Sequence, residues 1–328
     1  MSGITNTPPE AGARPLRRHL GYLLILGLAA VGAWLYVIRA QSVFACPATK
    51  YDADHFLAYC HADHYGDYEH GAFWYGLEPV IADSVAKASV LFLGSSRMQF
   101  GFSGAATRDF FHDENAPFYL MGFAYWENHL FEGPLLQKLR SSPRVYVINL
   151  DTFFEDKPSA PAAAILHDAD AESRYRQKQE LQAAHAVVCS RLPLCGDDQA
   201  FFRSRSTGQY LLQGGRFRDI PVSYDDEPDE ALIRSYVERA KPFIAALGVP
   251  QSCVIFTMVP TVGTPSASAA AIAHRLGSEL VAPRMDDLLT FDQSHLQPAS
   301  AERWSHEFFA LAGDRIRRCL DADAGDTH

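Results

Sequence analysis

The chain has 328 residues, 48% hydrophobic and 21% charged, a balance that excludes a disordered polymer and fits a globular fold. Its formal net charge of -10 repels phosphate backbones, so no nucleic acid partner is expected. Once the apolar N-terminal segment is set aside, roughly 280 residues remain, enough for one well-buried α/β domain.

Residues 1–19 read as a cytoplasmic tail, Pro- and Gly-rich and expected to be disordered over 1–16. Residues 20–38 carry no charge and are long enough, as a helix, to cross a bilayer. Arg14, Arg17 and Arg18 precede this run and only Arg39 closely follows it, which holds the N-terminus in the cytoplasm and sends the rest outside. Trp34 and Tyr36 fall near the far end, as interfacial aromatics do. A cleaved signal peptide is the rival reading. The run is longer than a signal core and no strong small-x-small site follows, so an uncleaved anchor in the inner membrane is expected, with a periplasmic domain after it.

Six cysteines follow the anchor, an even number that suits disulfides in an oxidising compartment. Local spacing favours Cys46–Cys60 and Cys189–Cys195, leaving Cys253–Cys319. In a parallel α/β sheet a helix returns to the starting edge of the strands, and Cys253 opens an expected strand where Cys319 closes an expected helix. No pair has the CxxC spacing of a zinc or redox site.

Residues 39–87 are aromatic and irregular, a segment wrapping away from the membrane. The apolar runs 88–93, 118–121, 145–150 and 253–258 predict buried strands, with a short fifth at 279–282. Between them, helices are expected at 127–139, at 229–247 capped by Asp229, at 267–276, and from Pro298 to about Leu320. Residues 152–228 read as an insertion with a polar helix near 169–186, and 321–328 as a C-terminal tail. Continuous apolar strands alternating with helices imply a mostly parallel sheet covered on both faces, with domain bounds of 88–320. Ligands bind beyond the carboxyl ends of such strands. That singles out Ser95, Ser96 and Arg97, then Gly122, Asn149 and Asp151, and finally Pro260 and Thr261.

Ser96 sits where the first strand breaks into a turn, with Gly94 permitting tight backbone. A serine hydroxyl needs an adjacent base, and the base a third group to orient it. Asp292 and His295, three apart just before the last helix, can face the same way: Asp292 would accept from one imidazole nitrogen and the other would face Ser96. Taken singly, a Gly-Ser-Ser turn is common, Asp292 could be a helix cap and His295 a surface residue. Their order and their shared rim favour catalysis.

These blocks resemble the SGNH (GDSL-type) hydrolase superfamily over roughly residues 88–320. Gly94-Ser95-Ser96-Arg97 is similar to its Gly-Asp-Ser block, with Ser95 in place of the aspartate and the nucleophile on Ser96. Gly122 stands for its lone glycine, and Asp292 and His295 for its Asp-x-x-His. The resemblance implies a three-layer sandwich on a five-stranded, flavodoxin-like sheet, and an oxyanion hole from the N–H groups of Ser96 and Gly122. The family's Gly-x-Asn-Asp block is not matched. Asn149 is the nearest candidate donor, though early in the strand, and Asp151 could fall there instead, where an ionised carboxylate would oppose an oxyanion. Arg97 and Asp151 are candidate substrate-binding residues, and an ion pair with a nearby carboxylate is an equal alternative for Arg97.

His61, Asp63, His64, Asp67 and His70 crowd beside Cys60. Their irregular spacing among Tyr65, Tyr68, Phe73, Trp74 and Tyr75 favours packing on the sheet or lining of a substrate groove over a metal site. Neither metal nor cofactor is expected. The expected function is ester hydrolysis or O-acyl transfer, foremost of acetyl groups, on a cell-envelope glycan. Topology is similar to that of anchored SGNH-like proteins that work with multi-spanning membrane-bound O-acyltransferases. A lipid or small-ester hydrolase is one rival. A non-catalytic anchored glycan-binding or scaffold protein is the rival of another class.

Overall fold

In chain order the strands among the described residues are β1 (His55–Cys60), β2 (Val90–Leu93), β3 (Phe118–Leu120), β4 (Val145–Asn149), β5 (Ala200–Ser204), β6 (Tyr210–Gln213), β7 (Ile220–Pro221), β8 (Val254–Thr257) and β9 (Leu289–Thr290). The structure, a computed structural model, describes residues 14–40, 44–47, 52–60, 65–191, 195–215 and 217–322. The tail before Arg14, the candidates His61, Asp63 and His64, and the end of the C-terminal tail lie outside these.

Strands β2, β4 and β8 are apolar on both sides because both of their faces are covered. They join β3 in a parallel sheet of order β3-β2-β4-β8. Side chains alternate across a strand, and the alternation divides the core in two. Leu91, Leu93, Tyr146, Ile148, Val254 and Phe256 pack with Phe131, Leu135, Ile233, Tyr236 and Ile272 from the helices His129–Leu139, Glu230–Ala246 and Ser266–Arg275. Val90, Phe92, Val145, Val147 and Ile255 pack the other way, against Phe102, Phe111, Trp304, Phe308 and Ile316. Those come from helices Ser96–Phe102, Ala105–Asp113 and Pro298–Asp321. The result is a helix–sheet–helix α/β domain.

Asp229 caps its helix as expected, accepting from Ala231 N–H at 2.9 Å and Leu232 N–H at 3.0 Å. The expected fifth strand does not form. Residues 279–282 make a single parallel bridge, Leu280 to Phe256, and Pro283 follows without the N–H that a longer ladder would need. The sheet therefore has four strands.

A second, antiparallel sheet of order β1-β5-β6 is the main departure from expectation. β1 comes from the segment before the domain, while β5 and β6 come from the insertion, so these two stretches form one unit. The cysteines pair as expected: Cys46–Cys60, Cys189–Cys195 and Cys253–Cys319, with Cα–Cα separations of 6.0, 5.7 and 5.7 Å. Such pairs suit an oxidising compartment.

The N-terminal helix runs Arg14–Ala40, so residues 14–16, expected to be disordered, are its first turn. Its apolar stretch His19–Tyr36 is 18 residues long and wholly unburied, about 27 Å of helix and able to span a membrane.

Candidate active site

β2 ends at Leu93, and Gly94 turns the chain with φ +150°, where a Cβ would lie 3.1 Å from that of Asn149. Ser95 is extended and caps the next helix, its hydroxyl accepting from Arg97 N–H at 3.2 Å. Ser96 is the first helical residue, so its N–H is one of those with no intrahelical acceptor. Gly122, just past β3, lies against this turn: a Cβ there would come within 2.5 Å of the Ser95 carbonyl oxygen, so a larger residue would push the two segments apart.

The second half of the site is the loop 291–296. Asp292 Oδ1 accepts from the N–H groups of Ser294 (2.9 Å) and His295 (2.8 Å), which fixes the loop around its own carboxylate. Gln293 takes the left-handed conformation, φ 74°, that this turn requires. The His295 ring lies between two aromatics, 4.7 Å from the Phe100 centroid and stacked on Phe291 at 5.5 Å.

The two halves meet. Ser96 Oγ is 2.8 Å from His295 Nε2, and His295 Nδ1 is 2.7 Å from Asp292 Oδ2. Burial pushes the Asp292 carboxyl up. The His295 hydrogen bond and charge and the two loop N–H groups outweigh this and hold it below the usual carboxylate range. An ionised carboxylate only accepts, so Nδ1 carries the proton and Nε2 is left to accept from the serine hydroxyl. The three expected residues form one hydrogen-bonded relay.

Arg97 and Asp151, the candidate substrate-binding residues, are brought together as the ion pair that was the alternative for Arg97. The guanidinium pairs with the Asp151 carboxylate, and Asp151 is also the acceptor of the Ser95 hydroxyl at 3.0 Å. Arg97 Nε donates to Ser294 Oγ at 2.9 Å. This set ties the end of β4 and the serine turn to the histidine loop. Asp151 is engaged in that pair, not placed as an unpaired anion opposing an oxyanion.

Asn149 is the last residue of β4, buried beside Gly94. Its Oδ1 accepts from Val259 N–H at 2.9 Å, and its Nδ2 is buried with no acceptor among the described residues. A buried donor left unmatched is costly and marks a place where an acceptor could sit. Ser96 N–H, Gly122 and Asn149 thus surround one turn.

Ser96, Asp292 and His295 open into a cavity of about 320 Å³ with Tyr59, Tyr125, Trp126 and Phe201 among its lining residues. Sequence reasoning did not find these four. Tyr59 and Phe201 arrive on the second sheet, and only the Tyr125-Trp126 pair just after Gly122 was a usable signal. A larger cavity, about 590 Å³, lies between the helices bearing His129 and Phe243 and includes none of the relay residues.

Behind the site lies a buried charged network. Arg203 is fully buried and pairs with Glu69 at 2.7 Å, and His70 pairs with Glu127 at 3.0 Å. Burial lowers the His70 pKa, but Glu127, Glu69 and Asp67 outweigh it and raise it overall. Glu132 Oε1 accepts from Gly94 N–H at 3.2 Å while its Oε2 has no partner among the described residues. Burial, then the Glu127 charge, raises the Glu132 carboxyl well above its usual range against the Gly94 hydrogen bond and Arg203.

His70 is therefore an ion-pair partner in the core. Tyr65, Tyr68 and Phe73 are buried packing residues rather than groove lining. The described His/Cys cluster, His185 with Cys189 and Cys195, has its sulfurs joined to each other, which removes the thiolates a metal would take.

Compared with known proteins, the chain matches no family model, no curated protein and no solved structure.

Proposed function

We propose that this chain is an extracytoplasmic serine esterase or O-acyltransferase of the SGNH type, held to the inner membrane by its N-terminal helix with the N-terminus in the cytoplasm. One observation carries the proposal: the hydroxyl–imidazole–carboxylate relay Ser96–His295–Asp292, with links of 2.8 and 2.7 Å.

In this mechanism Ser96 Oγ attacks the ester carbonyl and its proton passes to His295 Nε2. Asp292 stabilises the imidazolium that forms. The tetrahedral oxyanion would face the N–H groups of Ser96 and Gly122, with the spare Nδ2 of the buried Asn149 behind the same turn, an arrangement of the oxyanion-hole kind. Collapse breaks the C–O bond to the alcohol, which takes the proton from His295, and leaves an acyl-Ser96. Water or a sugar hydroxyl then gives its proton to Nε2 and attacks the acyl carbon, and the departing Ser96 Oγ takes that proton back from His295.

The Arg14–Ala40 helix would keep this site close to the membrane surface. That position suits work beside a multi-spanning O-acyltransferase that delivers acyl groups from the cytoplasm, with an envelope glycan as acceptor or substrate. The test is hydrolysis of a chromogenic acetyl ester by the full chain in detergent. Turnover lost in Ser96→Ala supports the proposal, and turnover unchanged in that variant removes Ser96 from the mechanism. A burst of one equivalent followed by slow release, accelerated by oligosaccharide, marks transfer rather than hydrolysis.

A further inference from the structure

Tyr125 and Trp126 are consecutive bulky residues held in the left-handed region, φ 62° and 56°. Side chains of this kind pay a steric penalty there, and such strain persists only where the surroundings over-determine it. Here they do. On one side Ala124 N–H donates to Glu69 Oε1 at 2.8 Å, and Glu69 is itself locked by Arg203. On the other, Glu127 accepts from Asn128 N–H at 2.9 Å and from the Ser159 hydroxyl at 2.5 Å. Buried charges thus clamp both ends of a two-residue step.

What the clamp presents is aromatic surface. Trp126 is 64% exposed and Tyr125 36%, although the hydrophobic effect favours covering both. Both line the cavity that contains Ser96 and His295, and Tyr59, stacked on Phe201 at 4.9 Å, lines it as well. The cavity is at the small end of ligand sites. It has room for one acylated ring, and an exposed indole at its wall leaves one side of a ligand wet. A pyranose fits that demand: its C–H face is apolar and slightly positive, matching the negative face of an aromatic ring, while its hydroxyls stay in water or meet polar groups. Gln199 and Ser294 line the same cavity and can serve those hydroxyls. An acyl chain of a lipid would instead need an enclosed apolar channel. The chain's net charge of -10 disfavours a polyanionic sugar.

We infer that Trp126, with Tyr125 and Tyr59, forms a rigid stacking platform for an uncharged pyranose ring whose ester is presented to Ser96. This rests on the esterase or acyltransferase reading above and gives it a substrate class. Trp126 is a specificity-determining residue in this view and does not touch the reacting proton.

The experiment compares a small aliphatic acetate ester, methyl acetate, with a set of acetylated neutral oligosaccharides built from glucose, mannose, xylose or N-acetylglucosamine. Full-length wild type, Ser96→Ala, Trp126→Ala and Trp126→Phe are assayed in detergent. The ratio of kcat/KM for the best sugar ester to that for methyl acetate should fall about tenfold in Trp126→Ala, through KM. Trp126→Phe, which keeps an aromatic face, should recover most of it. A ratio unchanged in Trp126→Ala, or wild-type turnover of methyl acetate with none of any sugar ester, overturns the platform while leaving the serine enzyme standing. Absence of Ser96-dependent turnover of every ester sinks the enzymatic reading and the platform with it.

Discussion

The Ser96 hydroxyl and the His295 imidazole are separated by 199 positions in the chain and by 2.8 Å in space. Their meeting follows from two local turns on the same sheet rim, each fixed by its own hydrogen bonds. The relay makes a simple prediction. Ser96→Ala should lower kcat for an acetyl ester at least about a thousandfold, and Asp292→Asn, which leaves Nδ1 without its carboxylate, at least about a hundredfold. Steady-state kinetics on variants with unchanged circular dichroism check this. An Asp292→Asn enzyme as fast as wild type would exclude the carboxylate from the relay.

Asn149 offers a test that separates structure from chemistry. Its Oδ1 holds Val259 N–H, and its Nδ2 is the unmatched donor. Asn149→Asp keeps the acceptor and replaces the donor. At pH 8 the variant should keep the wild-type circular dichroism spectrum, with lower stability because of the carboxylate it buries, and lose roughly a hundredfold in kcat, the usual size of one oxyanion donor. Full turnover in the variant would reduce Asn149 to a strand-end bond.

Arg97 and Asp151 should behave as a coupled pair. Asp151→Ala strands a guanidinium and a serine hydroxyl in a mostly buried place and should cost about 2 kcal/mol in urea unfolding. The double variant with Arg97→Ala should be less destabilised than the sum, with a coupling of about 1 kcal/mol. Additive losses would mean that the two groups act independently, and would reopen a ligand-binding role for Arg97.

Glu132 imposes a pH dependence of the opposite sense to that of most carboxylates. In the unfolded chain it releases its proton near its ordinary 4.5, while in the native protein burial and then Glu127 keep it protonated to well above that. Above pH 4.5 the native state therefore holds the extra proton, and stability falls as pH rises toward the native pKa. Glu132→Gln mimics the neutral acid and keeps an acceptor for Gly94 N–H. Its melting temperature should gain on wild type between pH 5 and pH 8. A difference that stays flat or shrinks over that range would show that Glu132 is ionised in the native state.

Much of this was legible in the sequence because it is local. A strand buried on both faces must be apolar throughout, so β2, β4 and β8 show as runs such as Val90-Leu91-Phe92-Leu93. Gly94 before a serine pair marks a tight turn, and Asp292 with His295 three residues on marks a self-capping loop. The spacing of the cysteines gave the pairs Cys46–Cys60 and Cys189–Cys195 for the same reason, since short loops close at least entropic cost, and left Cys253 with Cys319.

Other features depend on partners that sequence order does not name. β1 pairs with β5 although β2, β3 and β4 lie between them in the chain, and β5 carries the charged Arg203. The fully buried Arg203 looks like a surface residue until Glu69 is brought to it from 134 positions away. Arg97 suited a ligand and an ion pair equally well in the sequence, and only the fold showed that Asp151 is its partner. Residue types and turn chemistry thus determined the sheet and the relay candidates. Which charges would cancel, and which aromatics would stand at the mouth of the site, was decided by long-range contacts, because burial of a charge depends on what the fold places beside it.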